Sequence, residues 1–334
     1  MNRQKNETLD LIKLFASYMV IFIHVTFHGQ LGYAMDALAR FAVPIFFLVS
    51  GFFSYRISPD KIKSRARAIL KLLIIAVVVY TLFNVVMLAT SGGVTEIVGY
   101  FRSYADLTTL AKLILLNVPV SSVHLWYLFA MLYVYVAFYF ATVLRLSEKV
   151  MWVISFSLLG VHLLLGEFLS FFDMAVPYSL LRNFLFMGIP FFGLGLFARK
   201  HEEALRTVPA SVIWAFLAVG MLESVCSRLL GRRNELYLGS VLILFGLVIE
   251  FIRHSHVTYP RWVNELTRCS TYIYLFHIAI ASVFTRIYAL FQLSTANSPV
   301  LKNLHPLLVC VASTALAFGI NKLVDLVFFK KGKE

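Results

Sequence analysis

Charge is scarce in this sequence, and acidic charge scarcest. Asp, Glu, Lys and Arg make up 14% of the 334 residues, where soluble globular chains carry about a quarter. Only 17 of these groups are acidic, against 30 basic. So thin a charged complement excludes a chain that coats a single core with a water-facing surface. Cysteine is nearly missing: Cys226, Cys269 and Cys310 are an odd number with no CxxC spacing. That excludes a disulfide framework or a thiolate metal site and leaves small packing residues. No Pro- or Ser-rich linker, low-complexity tract, composition shift or solenoid-type repeat cuts the chain, so residues 1–334 read as one domain. The first apolar block lacks a small-residue cleavage site, which predicts a retained helix and not a cleaved signal peptide.

What is present is apolar. Hydrophobic residues reach 60%, with 31 Phe and 16 Tyr suited to lipid-facing and interfacial surfaces. They come in blocks long enough for a helix to span the hydrocarbon core, which takes about 20 residues. The blocks lie near 9–27, 37–57, 69–90, 123–146, 150–172, 180–198, 209–230, 236–254, 268–292 and 306–329. The pattern predicts an all-α, polytopic integral membrane protein with about ten transmembrane helices. Residues 91–122 are too polar to span, and 106–118 suits an amphipathic helix in the interface.

The excess of basic residues could suggest nucleic acid, but their placement argues for topology. One set of block ends holds Arg3, Lys5, Arg56, Lys61, Lys63, Arg65, Arg67, Lys71, Arg145, Lys149, Arg199, Lys200, Arg206, Arg253, Arg261, Arg268, Lys330, Lys331 and Lys333, 19 in all. The other holds nine: Arg40, Arg102, Lys112, Arg182, Arg228, Arg232, Arg233, Arg286 and Lys302. The positive-inside rule then puts both termini in the cytoplasm. The basic loop 228–233 fits that orientation worst.

Ionisable groups inside a membrane need a reason. The first block holds Asp10, Lys13 and His24. Lys13 and His24 are separated by about three full helical turns, so they share one face about 16 Å apart along the axis. That places Lys13 near the cytoplasmic surface and His24 in the outer half of the bilayer. Either the pair is functional, or Lys13 snorkels to the headgroups and His24 is a satisfied core histidine. Asp10, three residues before Lys13, is spaced to pair with it. The second block carries Pro44 and Ser50-Gly51: a proline kink can frame a cavity, and small residues let helices approach closely. Ser50 alone suits packing better than nucleophilic attack. The stretch after it, RISPDKIKSRARAILK, is either a topology anchor or an electropositive site for a phosphorylated ligand. His124, Trp126 and Tyr127 open the fourth block, where aromatics suit the interface. His277 lies mid-block and needs a partner, as do Glu167, Glu223, Glu250 and Asp325 near helix ends.

Taken in order, LDLIKLFASYMVIFIHV, RFAVPIFFLVSGFF, the basic stretch around Arg65 and Arg67, HLWYLFAMLYVYV, FLFMGIPFFGLGLFARK and STYIYLFHI resemble the acyltransferase 3 family of bacterial membrane acyltransferases over nearly the whole chain. The flavour is nearest the subgroup that includes the O-acetyltransferase of enterobacterial common antigen. The family hallmark is a basic residue, usually Arg, and a His regarded as catalytic, with ten residues between them. Lys13 and His24 fill those places. Lys for Arg is a departure, since Arg offers a bidentate fork and Lys a point charge.

The resemblance implies a multi-pass protein of the bacterial cytoplasmic membrane. It would move an acyl group, expected to be acetyl, from cytoplasmic acyl-CoA to a hydroxyl of an extracytoplasmic glycan, with no metal. On that reading Lys13, Arg65, Arg67 and Lys71 bind the CoA phosphates. His24 acts as general base or carries the acyl group, and Ser50, Tyr127 or His277 orients it or donates to the oxyanion. Partners would be acyl-CoA, a glycan acceptor and membrane lipids, with no nucleic acid. The competing reading is a transporter or flippase of a glycan or lipid intermediate, which needs the same polytopic shell but not the basic cytoplasmic site.

Overall fold

The computed structural model describes residues 7–329. The basic ends expected at Arg3, Lys5, Lys330, Lys331 and Lys333 lie outside the described residues, within which there is no strand. The helices are α1 (Glu7–His24), α2 (Gly29–Ala39), α3 (Ala42–Phe52), α4 (Pro59–Ala89), α5 (Gly93–Ala105), α6 (Leu107–Leu116), α7 (Trp126–Val143) and α8 (Glu148–Leu163). They continue with α9 (Tyr178–Leu181), α10 (Ile189–Lys200), α11 (Glu202–Arg206), α12 (Ala210–Leu229), α13 (Leu238–Arg253), α14 (Arg261–Thr267), α15 (Ser270–Leu290) and α16 (Pro299–Phe329). The protein is all-α and polytopic. Seven helical segments among the described residues are long and apolar enough to cross a membrane. The remaining three expected blocks lie on α1, which carries Glu7, Asp10 and Lys13, and on the shorter α10 and α13.

Local chemistry accounts for the helix ends. Pro44 has no N–H to offer the Arg40 carbonyl, and its ring crowds that carbonyl. The second block therefore breaks at Arg40–Phe41 into α2 and α3, and starts earlier than its apolar run, at Gly29. The last block also starts early. Ser298 accepts from the Leu301 N–H (3.2 Å) and Pro299 supplies the preset first turn, so α16 begins ahead of Pro306. The expected interfacial helix is α6, capped by Asp106. The helix α5 before it was not anticipated, and neither were the short α11 and α14.

Two compact units emerge: one is the chain up to Ile45 together with the chain from Glu202 onward, and the other is Phe46–His201. In the second unit, α10 is the hub because glycine lets backbones touch. A Cβ on Gly195 would strike the Leu48 carbonyl and the Phe52 nitrogen of α3, and one on Gly51 would strike the Phe192 carbonyl. A Cβ on Gly188 would meet Val134 and Phe47. A π-helical turn, Phe184–Gly188, precedes α10. Pro190 cannot bond the Phe186 carbonyl in the ordinary helical way, and the buried His162 ring donates to it instead through Nδ1, at 2.9 Å. Lipid-facing surface follows by subtraction: on α4, Leu73, Ala76 and Tyr80 are buried, while Ile74, Leu82 and Val86 are exposed.

In the first unit α1 packs on α15 and α16 around Leu14, Ile21, Val25, Ile273, Val309 and Ala317. The Ser17 hydroxyl reaches the carbonyl of Ser270 (3.0 Å), and the Tyr18 hydroxyl meets Thr314 (2.8 Å). Helices α12 and α13 close on Gly220 and Gly239, each of whose Cβ positions is taken by the other's carbonyl oxygen. Below this core, Thr8 donates to the His254 carbonyl (2.7 Å) and Glu7 accepts from the Tyr259 N–H (2.7 Å).

Candidate active site

Three groups of polar side chains stand out, two in the first unit and one in the second. The first lies on the face of α1 that meets α15. Lys13 pairs with Asp10 at 2.6 Å, as their spacing predicts, and both are half-buried. One turn on, Ser17 bonds Ser270. One heptad beyond that, the His24 ring meets the His277 ring, with centroids 5.3 Å apart and planes at 38°. His277 is fully buried, and its Nδ1 lies 2.7 Å from the Tyr274 carbonyl. A carbonyl only accepts, so Nδ1 carries a proton. His24 is half-buried, at the last residue of α1.

The register fixes where His24 lies along α15. Ser17 lies beside Ser270 and His24 beside His277, so His24 is level with a residue seven positions into α15. That is about 10 Å along a helix about 31 Å long, in the half of α15 that starts at Ser270 and not in the far half. The cause is that the first turns of α1 run below Ser270, tied to the α13–α14 connection by Thr8 and Glu7.

The second group was not anticipated as a group. Asp36 binds both Arg40 (2.5 Å) and Arg228 (3.1 Å), and Arg40 also reaches Glu235 (3.4 Å). The Arg228 guanidinium sits over the Tyr33 ring, 4.3 Å from its centre. All four ionised side chains are at most 14% exposed. Two acids and two bases leave the network neutral. The awkwardly placed Arg228 is therefore an interior ion-pair partner and not a loop charge.

The third group belongs to the second unit. The Tyr127 ring stacks edge-on against Phe47 (4.9 Å), one helical turn before Ser50. At the end of α3 the last turn tightens: the Ser54 N–H goes to the Gly51 carbonyl (2.8 Å) and not to that of Ser50. The Ser50 carbonyl takes the Ser54 hydroxyl instead (2.6 Å), and Arg65 donates to that same hydroxyl oxygen (2.7 Å). Two residues further along α4, Arg67 leaves the helix about 200° round from Arg65. Arg67 and Lys71, one turn apart, are exposed. Structure thus brings Tyr127 onto the turn of α3 that precedes Ser50, and His24 to His277. It separates Arg65 from Arg67 and Lys71, which the sequence had grouped as one phosphate site. His124, expected at the interface, is buried against Tyr80 (4.9 Å) with Ser122 on its Nδ1 (2.9 Å).

Past the end of α3, Glu148 gathers Lys200 (2.6 Å), Arg56 (3.5 Å) and the Tyr55 hydroxyl (3.1 Å). Burial, then the hydrogen bond to Glu148, hold the Tyr55 hydroxyl above its ordinary pKa. Of the other acids flagged by position, Glu223 accepts from the Gly239 N–H (2.6 Å) and Asp325 pairs with Arg268 (2.6 Å).

Sequence comparison bears on what these groups do. The model of the Acyltransferase domain family (Acyl_transf_3) matches residues 6–322. Neither the curated proteins nor the solved structures give a match.

Proposed function

The chain belongs to the acyltransferase 3 family and is a multi-pass membrane acyltransferase; from that premise we propose that it O-acetylates a glycan. The donor is acetyl-CoA from the cytoplasm, and the acceptor is a hydroxyl of an extracytoplasmic cell-envelope polysaccharide. The membrane is the bacterial cytoplasmic membrane. The subgroup reading, akin to the O-acetyltransferase of enterobacterial common antigen, rests on the order of the sequence strings.

His24 is the general base. Its imidazole takes the proton of the acceptor hydroxyl as that oxygen attacks the thioester carbonyl. The C–S bond then breaks, and the CoA thiolate recovers the proton from the imidazolium. Arg67 and Lys71, exposed and one turn apart, take phosphate oxygens of the donor. Ser50 and Tyr127 are offered as donors to the thioester oxygen. Lys13, held by Asp10, presents its ammonium group at the foot of the catalytic helix.

The observation that carries this reading is the contact of His24 with His277, a buried ring whose proton is fixed on Nδ1 by the Tyr274 carbonyl. A histidine held in that way is built to orient its neighbour. Base assistance is worth about 10²–10⁴-fold in rate. His24→Ala should therefore lose acetyl-CoA-dependent glycan acetylation by that factor, with membrane levels and acetyl-CoA binding kept, and His277→Ala should lose less. Retention of more than about a tenth of wild-type turnover by His24→Ala refutes its role as the base.

A further inference from the structure

We propose that Arg65 is a positioning residue for Ser50 at the end of α3, and that donor phosphates are bound by Arg67 and Lys71 without it. The inference rests on the proposed function and divides the labour within the basic stretch.

The argument starts from the end of a helix. The last carbonyls of α3 have no intrahelical donor. Because the Ser54 N–H turns back to Gly51, the Ser50 carbonyl is one of these orphans. It accepts from the Ser54 hydroxyl, at 2.6 Å. A hydroxyl that donates its single proton there has lone pairs to spare, and Arg65 fills one of them at 2.7 Å. Arg65 also sets a cation at the C-terminal end of α3, where the helix dipole favours it. From the other side, the same turn is pressed on α10 by the backbone contacts of Gly51 and Gly195. The result is a connected path: guanidinium, Ser54 hydroxyl and Ser50 carbonyl, which fixes the backbone that carries the Ser50 side chain. Arg65 is half-buried and committed to this path, whereas Arg67 and Lys71 are exposed on another face of α4.

A phosphate ligand and a positioning residue fail differently. Inverted membrane vesicles carrying the full chain expose its cytoplasmic face. Incorporation of radiolabelled acetyl-CoA into endogenous acceptor, titrated against donor, yields an apparent KM and a maximal rate. Arg67→Ala and Lys71→Ala should each raise the KM on the order of tenfold with the maximal rate kept, as loss of a charge-assisted contact predicts. Arg65→Ala should lower the maximal rate about threefold to tenfold, the net worth of a typical hydrogen bond, with the KM little changed. Ser54→Ala should do the same, and the double variant should be no worse than the worse single, because both remove one path. Arg65→Lys should recover part of the rate, since an ammonium can still donate to Ser54. If Arg65→Ala does not accumulate in membranes, Ser54→Ala carries the comparison. A rise in KM for Arg65→Ala equal to that of Arg67→Ala, at unchanged maximal rate, makes Arg65 a phosphate ligand and overturns the assignment. Wild-type vesicles without acetyl-CoA-dependent incorporation overturn the proposed function and this assignment with it.

Discussion

Removing Asp36 should be among the most damaging single changes in the first unit, and the damage should be curable by removing a second charge. Asp36 is the shared acid of the buried network, bonded to Arg40 at 2.5 Å and Arg228 at 3.1 Å. Asp36→Ala leaves two guanidinium groups with one carboxylate, Glu235, which lies 3.4 Å from Arg40. Breaking a buried ion pair by deleting one partner costs about 3–5 kcal/mol, because the remaining charge is left desolvated and uncompensated. The side chains are at most 14% exposed, so solvent relieves little of that. Arg228 loses its only acid in the network, whereas Arg40 keeps Glu235. Replacing both Asp36 and Arg228 by apolar residues, Asp36→Leu with Arg228→Met, restores neutrality and should return most of the loss, since hydrophobic replacement of a whole buried pair is often neutral or better. Unfolding of the purified protein in mixed micelles, followed by Trp fluorescence, measures both. The reasoning is wrong if Asp36→Ala sits within about 1 kcal/mol of wild type, or if the double variant is no more stable than the single.

Gly51→Ala should destabilise the second unit by about 1–3 kcal/mol or more, because the new methyl meets the Phe192 carbonyl and backbone cannot turn aside as a side chain can; loss of monodisperse protein on size exclusion in detergent is the readout, and an unperturbed Gly51→Ala protein refutes it. In a background with Cys226, Cys269 and Cys310 replaced, an impermeant thiol reagent applied to intact cells should label Leu304→Cys and spare Lys63→Cys. The reverse pattern inverts the orientation drawn from loop charge.

Much of the helical layout was legible because it is local. An apolar run of membrane-spanning length needs no partner to be recognised, and the Pro44 break and the Asp10–Lys13 pair follow from spacing alone. What escaped was tertiary. Arg228 is 192 residues from Asp36 in sequence, so its interior role could not be told from that of an outer-loop cation. His162 gave no signal of its own. It is buried because Pro190, on another element, leaves the Phe186 carbonyl to be satisfied. The split between Arg65 and Arg67 was available in principle, since two helical steps turn a side chain nearly to the opposite face. Ser54, the partner that makes sense of Arg65, carried no such mark.

The same registers bear on how many times the chain crosses the membrane. Ser17 meets Ser270 and His24 meets His277, so residue number rises together along both helices and α1 and α15 run parallel. Parallel spans need an odd number of crossings between them. The five long apolar segments between them satisfy that, and adding either α10 or α13 alone would violate it. Helix α10 and its π-turn run antiparallel along all of α8. Lys200 meets Glu148, Phe197 meets Trp152, Gly193 abuts Ser155, and the Phe186 carbonyl accepts from His162. Whatever depth α8 reaches, α10 with its π-turn reaches too. If α10 crosses, parity requires α13 to cross as well, despite its 16 residues. Ten crossings then follow with α1 and α16 at the two ends. With Arg40 and Arg228 in the interior network, seven basic residues remain in the smaller set, which sharpens the charge asymmetry that the thiol-labelling contrast tests.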